Sequence, residues 1–128
     1  MKRLALAAAI ALLAAAPMAH AAPPVPYDQT ALAAAQAAGK PILIAVHATW
    51  CPVCAKQDPI IRKLAVTPAF KDMVIMIVDF DAQKDVVRAL DVQKQSTLIV
   101  MNGKTERDRS TGVSDEAAIT ALLSKANG

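Results

Sequence analysis

Aromatic residues are scarce in this 128-residue sequence: one tryptophan, one tyrosine and two phenylalanines, 3% of the chain, although 55% of it is hydrophobic. Much of that apolar excess is alanine, so it is not evidence of a membrane protein. Cysteine is scarcer still. Cys51 and Cys54 are the only two, which allows one intrachain disulfide and excludes a small scaffold stapled by several. A spanning helix is also disfavoured. The apolar run from Leu4 to Ala16 has 13 residues, about 20 Å of helix against a hydrocarbon core of about 30 Å. Dense basic clusters are lacking as well. Arg62-Lys63 and Arg107-Asp108-Arg109 are the densest and read as solvated faces, which argues against a nucleic-acid partner. No internal repeat, low-complexity tract or dimerisation segment is present, and the last of these absences favours a monomer.

Lys2 and Arg3, the run from Leu4 to Ala16, Pro17 and then Ala19-His20-Ala21 have the order of a secretory signal with a small-x-small cleavage site. Residues 1–21 are therefore expected to be a signal peptide that sends the chain out of the cytosol, to a bacterial periplasm. No cysteine follows the cleavage site, so lipid attachment is not indicated. Removing 21 of 128 residues leaves 107, the size of one domain, and no membrane span is expected in the mature chain. Losing Lys2 and Arg3 from the 14 basic residues leaves 12 against 11 acidic ones, a formal charge of +1.

Residues 22–27, Ala-Pro-Pro-Val-Pro-Tyr, read as a proline-rich extended linker without a regular hydrogen-bond ladder, and residues 28–128 as the domain. Asp28 caps a helix that ends at Gly39 and Lys40-Pro41. Ile42 to Val46 is a short apolar run, the pattern of a strand buried on both faces. A helix follows the cysteines to Ala65, with Pro59 in its middle to bend it. Val74 to Phe80 predicts a second strand, Asp85 to Leu90 a short helix and Thr97 to Met101 a third strand. Asn102-Gly103 signals a hairpin into a strand over Thr105 to Arg109, and Ser114 is expected to cap a last helix. The expected fold class is α/β, a four-stranded mixed sheet flanked by helices on both faces, with parallel pairing where helices connect the strands.

The chemistry concentrates in Trp50-Cys51-Pro52-Val53-Cys54, between a buried strand and a helix. A helix start presents unpaired N–H groups and a positive dipole end, both of which favour a thiolate. Cys51 is thus expected to be the nucleophile, and Cys54, one turn further in and more buried, the resolving thiol of a disulfide exchange. Pro52 suits the first helical turn and stiffens the ring that oxidation closes. Other readings of the pair are a structural disulfide and a soft-metal module holding Cu(I) or Zn(II) with Cys51, Cys54 and His47. An inactive binding module with the same fold is a further one. Trp50 reads as a contact surface beside the thiols. His47 is either structural or a proton or metal handler, and Met73, Met76 and Met101 read as core filling.

These residues resemble the thioredoxin family over most of the mature chain. Trp50 directly precedes the cysteine pair, and Pro59 stands five residues after Cys54. Asp79-Phe80-Asp81 is similar to the family's acidic strand end, and Thr97-Leu98-Ile99-Val100, then Asn102-Gly103 and Gly112, to the segment facing the active site. The resemblance implies a thioredoxin-like fold and a dithiol-disulfide oxidoreductase with no cofactor beyond the Cys51-Cys54 disulfide. Its partners would be protein thiols and disulfides and an upstream thiol donor or acceptor, with Trp50, Pro52, Val53, Ser96 and Thr97 meeting the substrate. The direction expected is reducing or isomerising, given the Trp50-Cys51 context and the lack of a large inserted helical domain.

Three positions depart from the family. Ser96 stands where a cis proline is usual, and because a cis bond before a non-proline costs about 2.5 to 4 kcal/mol, Gln95-Ser96 is expected to be trans. Ala45 replaces a buried aspartate six residues before Cys51, and Ile77 the lysine beside it, so proton transfer from the resolving thiol needs water or another group. The dipeptide between the cysteines is Pro52-Val53, where Gly-Pro is usual, so the potential is this chain's own.

Overall fold

The computed structural model describes residues 22–128, and the expected signal segment 1–21 lies outside the described residues. In chain order the elements are β1 (Val25–Pro26), α1 (Gln29–Ala37), β2 (Pro41–His47), α2 (Pro52–Ala65), β3 (Val74–Asp79), α3 (Lys84–Ala89), β4 (Thr97–Asn102), β5 (Thr105–Thr111) and α4 (Glu116–Ser124), followed by a 3₁₀ turn at Lys125–Asn127. One sheet holds all the strands in the order β1-β3-β2-β4-β5.

The apolar run in β2 makes it the central strand. Ile42, Ile44 and Val46 point to one face, where Leu32 and Ala35 of α1 and Val87 of α3 cover them. Leu43 and Ala45 point to the other, against Ile61 and Leu64 of α2 and Ile119, Leu122 and Leu123 of α4. The two-residue alternation of a strand thus supplies both cores from one continuous apolar segment. Met73 and Met76 are buried within these two clusters, and Met101 packs partly buried against one of them.

Four expectations are corrected. The sheet has five strands, because the expected linker pairs: β1 lies parallel to β3, Val25 opposite Met76 and Pro26 opposite Ile77. As the edge strand, β1 needs donors on one side only, and the Tyr27 N–H supplies one to the Ile77 carbonyl at 2.8 Å, so its prolines are tolerated. Helix-connected strands also do not all pair in parallel. β2 and β3 do, whereas β4 inserts antiparallel on the other side of β2. The α4 cap is Asp115, whose carboxylate accepts the Ala118 N–H, rather than Ser114. Finally, the hairpin turns on Gly103-Lys104. Asn102 is the last residue of β4, paired with Thr105, and Gly103 takes the positive φ of 55° that the first turn position demands.

Candidate active site

Chain direction places the cysteines. β2 ends at His47 in the middle of the sheet, the chain turns through Ala48 to Trp50, and α2 starts at Pro52. Cys51 is the cap residue of α2, and its sulfur accepts the backbone N–H of Cys54 at 3.1 Å. Pro52 occupies the first turn, where a missing N–H costs nothing. Cys54 lies one turn along, its sulfur 3.9 Å from the Val46 carbonyl oxygen. Both cysteines are free thiols.

The two thiols differ less in exposure than expected, since Cys51 is 2% exposed and Cys54 1%. Ala48 shares their cluster, and Val53 and Phe80 pack partly buried against it. What separates them is desolvation of the Cys54 sulfur, followed by hydrogen bonding and charge. Burial, helped by the hydrogen bond and charge of Cys51, pushes the Cys54 thiol from an ordinary value of 9.0 up to about 11. Cys54 therefore keeps its proton at neutral pH, whereas the Cys51 sulfur is the acceptor at the positive end of the helix.

The raised Cys54 value ties stability to pH. Between about 9 and about 11 the unfolded thiol has lost its proton while the folded one retains it. The folded state then binds more protons, so stability falls as pH rises through this window. Denaturant melts of the reduced protein are expected to show that loss, and Cys54→Ala or the oxidised protein to lack it. Equal pH dependence in all three would contradict the assignment.

Trp50 is 57% exposed and donates its indole N–H to the Asp81 carboxylate at 2.7 Å. Asp81 is held in turn by the strand end, where the Asp79 carboxylate accepts the N–H groups of Asp81 and Ala82. The exposed ring beside Cys51 is thus fixed in orientation. Pro52 is exposed and Val53 half-buried on the same rim.

Ser96, whose backbone hydrogen-bonds toward the Cys54 sulfur, and Thr97, the first residue of β4, are both buried. Among the described residues no peptide is cis, so Gln95-Ser96 is trans, and Ser96 takes a φ of +59°. A non-glycine residue holds that conformation only where contacts enforce it. Here its N–H donates to the Val46 carbonyl at 2.8 Å, and its own carbonyl accepts from the Gly112 N–H at 3.0 Å and from the Gln57 amide at 3.1 Å. Thr97 spends its hydroxyl within the fold, on the Lys94 carbonyl and the Thr111 hydroxyl.

Gln57 went unrecognised in the sequence. It is 3% exposed, and its amide also donates to the Val113 carbonyl at 2.7 Å. The available signal is its place three residues after Cys54, on the helix face that packs on the sheet. Asp81, which orients Trp50, and Phe80, which covers the cysteines, were visible only as parts of the Asp79-Phe80-Asp81 motif. His47 is half-buried and lines both a groove of about 760 Å³ on the β1 and β3 side and a small cavity beneath Cys54. Among the described residues no group of three His, Cys, Asp or Glu side chains gathers as a metal ion requires, so the donor set does not support the soft-metal reading.

Comparison with known proteins gives a consistent result. The Thioredoxin family model matches residues 27–125. A thioredoxin H-type from Brassica campestris is 35% identical over 92 residues, 72% of this chain and 73% of that protein. A thioredoxin from Chlamydia muridarum is 29% identical over 84 residues, covering 66% and 80% of the two chains. Among solved structures, Trxlp of Edwardsiella tarda superposes with a TM-score of 0.77 at 38% identity, covering 79% of this chain and 98% of that one.

Proposed function

The chain belongs to the thioredoxin family and is a thiol-disulfide oxidoreductase, and from that premise we propose an exported protein whose Cys51 attacks disulfides of other exported proteins and whose Cys54 resolves the intermediate, in the reducing or isomerising direction. The observation that carries this reading is the difference between the two sulfurs. Cys51 caps α2 and takes a backbone N–H, while burial holds the proton on Cys54. The first sulfur is set up to attack, and the second stays protonated until a mixed disulfide forms.

Export rests on Lys2, Arg3, the Leu4 to Ala16 run and Ala19-His20-Ala21. No helix among the described residues is long and apolar enough to cross a membrane. Trp50, Pro52 and Val53 form the rim that a substrate peptide meets, and Ser96 and Thr97 form the opposite wall. An upstream thiol donor returns the pair to the dithiol after each turnover.

Direction depends on how strongly the Cys51 thiolate is held relative to the disulfide. Among the described residues its sulfur takes one backbone hydrogen bond and none from a cationic side chain, which supports a reducing pair. Equilibration of the protein with glutathione buffers, read by trapping and mass spectrometry, is expected to give a potential well below that of strong oxidants. A value near about −120 mV would overturn the reducing direction.

A further inference from the structure

Cys54 cannot resolve a mixed disulfide until its proton leaves, and its surroundings hold few places for that proton to go. Cys54 is 1% exposed, its sulfur lies 3.9 Å from the Val46 carbonyl, which cannot take a proton, and its other polar neighbours are the Cys51 side chain and the backbone of Ala48 and Ser96. Ala45 and Ile77, from the two strands beneath α2, line the cavity under Cys54 with apolar side chains. That cavity has a volume of about 10 Å³ and is also lined by Val46, His47, Gln57, Asp58 and Ile61, room for about one water molecule.

Two of these residues can accept a proton, His47 from β2 and Asp58 from α2. Asp58 lies four residues after Cys54 on the same helix, so the two side chains project from one face, a single turn apart. Arg62, the one charged partner of Asp58 among the described residues, binds its Oδ2 at 2.9 Å on the solvent side, leaving Oδ1 without a hydrogen-bond partner. The carboxyl side chain is 41% exposed. Asp58 therefore lines this small cavity and also meets bulk water, the two places a proton relay must connect. His47 instead divides its position between this cavity and the larger groove, on a different element from the thiol it would serve.

We propose that Asp58 is the proton acceptor for Cys54, directly or across one water in the cavity, and so controls the resolution step. The inference rests on Cys51 attacking and Cys54 resolving. In the mixed disulfide, the Cys54 thiol gives its proton to the Asp58 carboxylate. The Cys54 thiolate attacks the Cys51 sulfur, the Cys51-substrate S–S bond breaks and the Cys51-Cys54 bond forms. The substrate sulfur leaves with the electron pair and is protonated from the Asp58 carboxylic acid or solvent. The enzyme dithiol is oxidised by two electrons and the substrate disulfide is reduced to two thiols.

The test forms a mixed disulfide between Cys51 and a small peptide disulfide in stopped flow and follows its resolution from pH 6 to 10. In the unmodified protein the rate is expected to vary little with pH. In Asp58→Asn it should drop by roughly 100-fold near pH 7, within the range of general-base effects. It should then climb about tenfold per pH unit, because Cys54, whose thiol burial pushes up, must ionise unaided. Asp58→Glu should restore most of the rate, and His47→Gln should leave the profile unchanged. An Asp58→Asn profile superimposable on that of the unmodified protein, or a flat profile lost in His47→Gln instead, overturns the proposal. Failure of Cys51 to form any mixed disulfide would count against the attack by Cys51 itself, a separable result.

Discussion

Replacing Cys54 with serine is expected to leave a protein that attacks a disulfide once and then stops. Its turnover with a protein disulfide should fall to background, a loss of at least about 1,000-fold. A covalent complex with the substrate should accumulate, visible on non-reducing gels and reversed by dithiothreitol. Replacing Cys51 with serine should abolish turnover equally without any trapped complex. The asymmetry follows from the geometry. The Cys51 sulfur accepts the Cys54 N–H at the start of α2, where the helix dipole favours negative charge, while Cys54 sits further along under Val46. Trapping through Cys54 in Cys51→Ser, or retained turnover in either variant, would reverse the assigned roles.

The second large effect is expected at Gln57. This side chain, 3% exposed, joins three parts of the fold. From α2 it donates to the Ser96 carbonyl at 3.1 Å and, beyond β5, to the Val113 carbonyl at 2.7 Å. Leucine at this position keeps most of the volume and removes both donors. The Val113 carbonyl loses this partner, and Ser96 loses one of the three hydrogen bonds that hold its positive φ. At about 1 to 3 kcal/mol for a buried group left unsatisfied, Gln57→Leu should cost on the order of 2 kcal/mol in urea melts, because the Ser96 carbonyl keeps the Gly112 N–H. kcat/KM for protein disulfides should also fall, because the wall opposite the thiols loosens. The reaction of Cys51 with a small alkylating reagent needs no such wall and should change little. A stability loss below about 0.5 kcal/mol would show that the Ser96 segment is held without Gln57.

Much of the site was legible before any coordinates. A strand apolar on both faces, followed within a few residues by Trp50-Cys51-Pro52-Val53-Cys54, marks a thiol pair at a strand-to-helix junction. Helix dipole, cap geometry and proline at the first turn all act locally along the chain, so sequence spacing encodes them. The antiparallel insertion of β4 beside β2 was not legible, because pairing order in a sheet is set by how whole faces pack rather than by the residues of one connection. The pairing of Val25–Pro26 was missed for a related reason. A two-residue strand carries no periodic signal, and only the open edge of β3 gives it a partner. Asp115 displaced Ser114 as the cap by one residue, and the hairpin moved from Asn102-Gly103 to Gly103-Lys104, because adjacent residues of similar turn chemistry compete and tertiary contacts choose. Asn102 donates its side-chain amide to the Ala126 carbonyl at 2.7 Å, a tie available to it as the last strand residue.

By itself, the sequence determined the two-faced central strand, the helix that begins at the cysteines and the absence of a second redox pair, since two cysteines three positions apart allow no other. Only the tertiary structure decided how the two thiols differ. Exposure hardly separates them. The burial that holds the proton on Cys54 and the cavity that Asp58 lines beside that thiol each depend on where α2 lands on β2 and β3. Desolvation and through-space hydrogen bonds are set by distances across the fold, and no spacing along the chain encodes those distances.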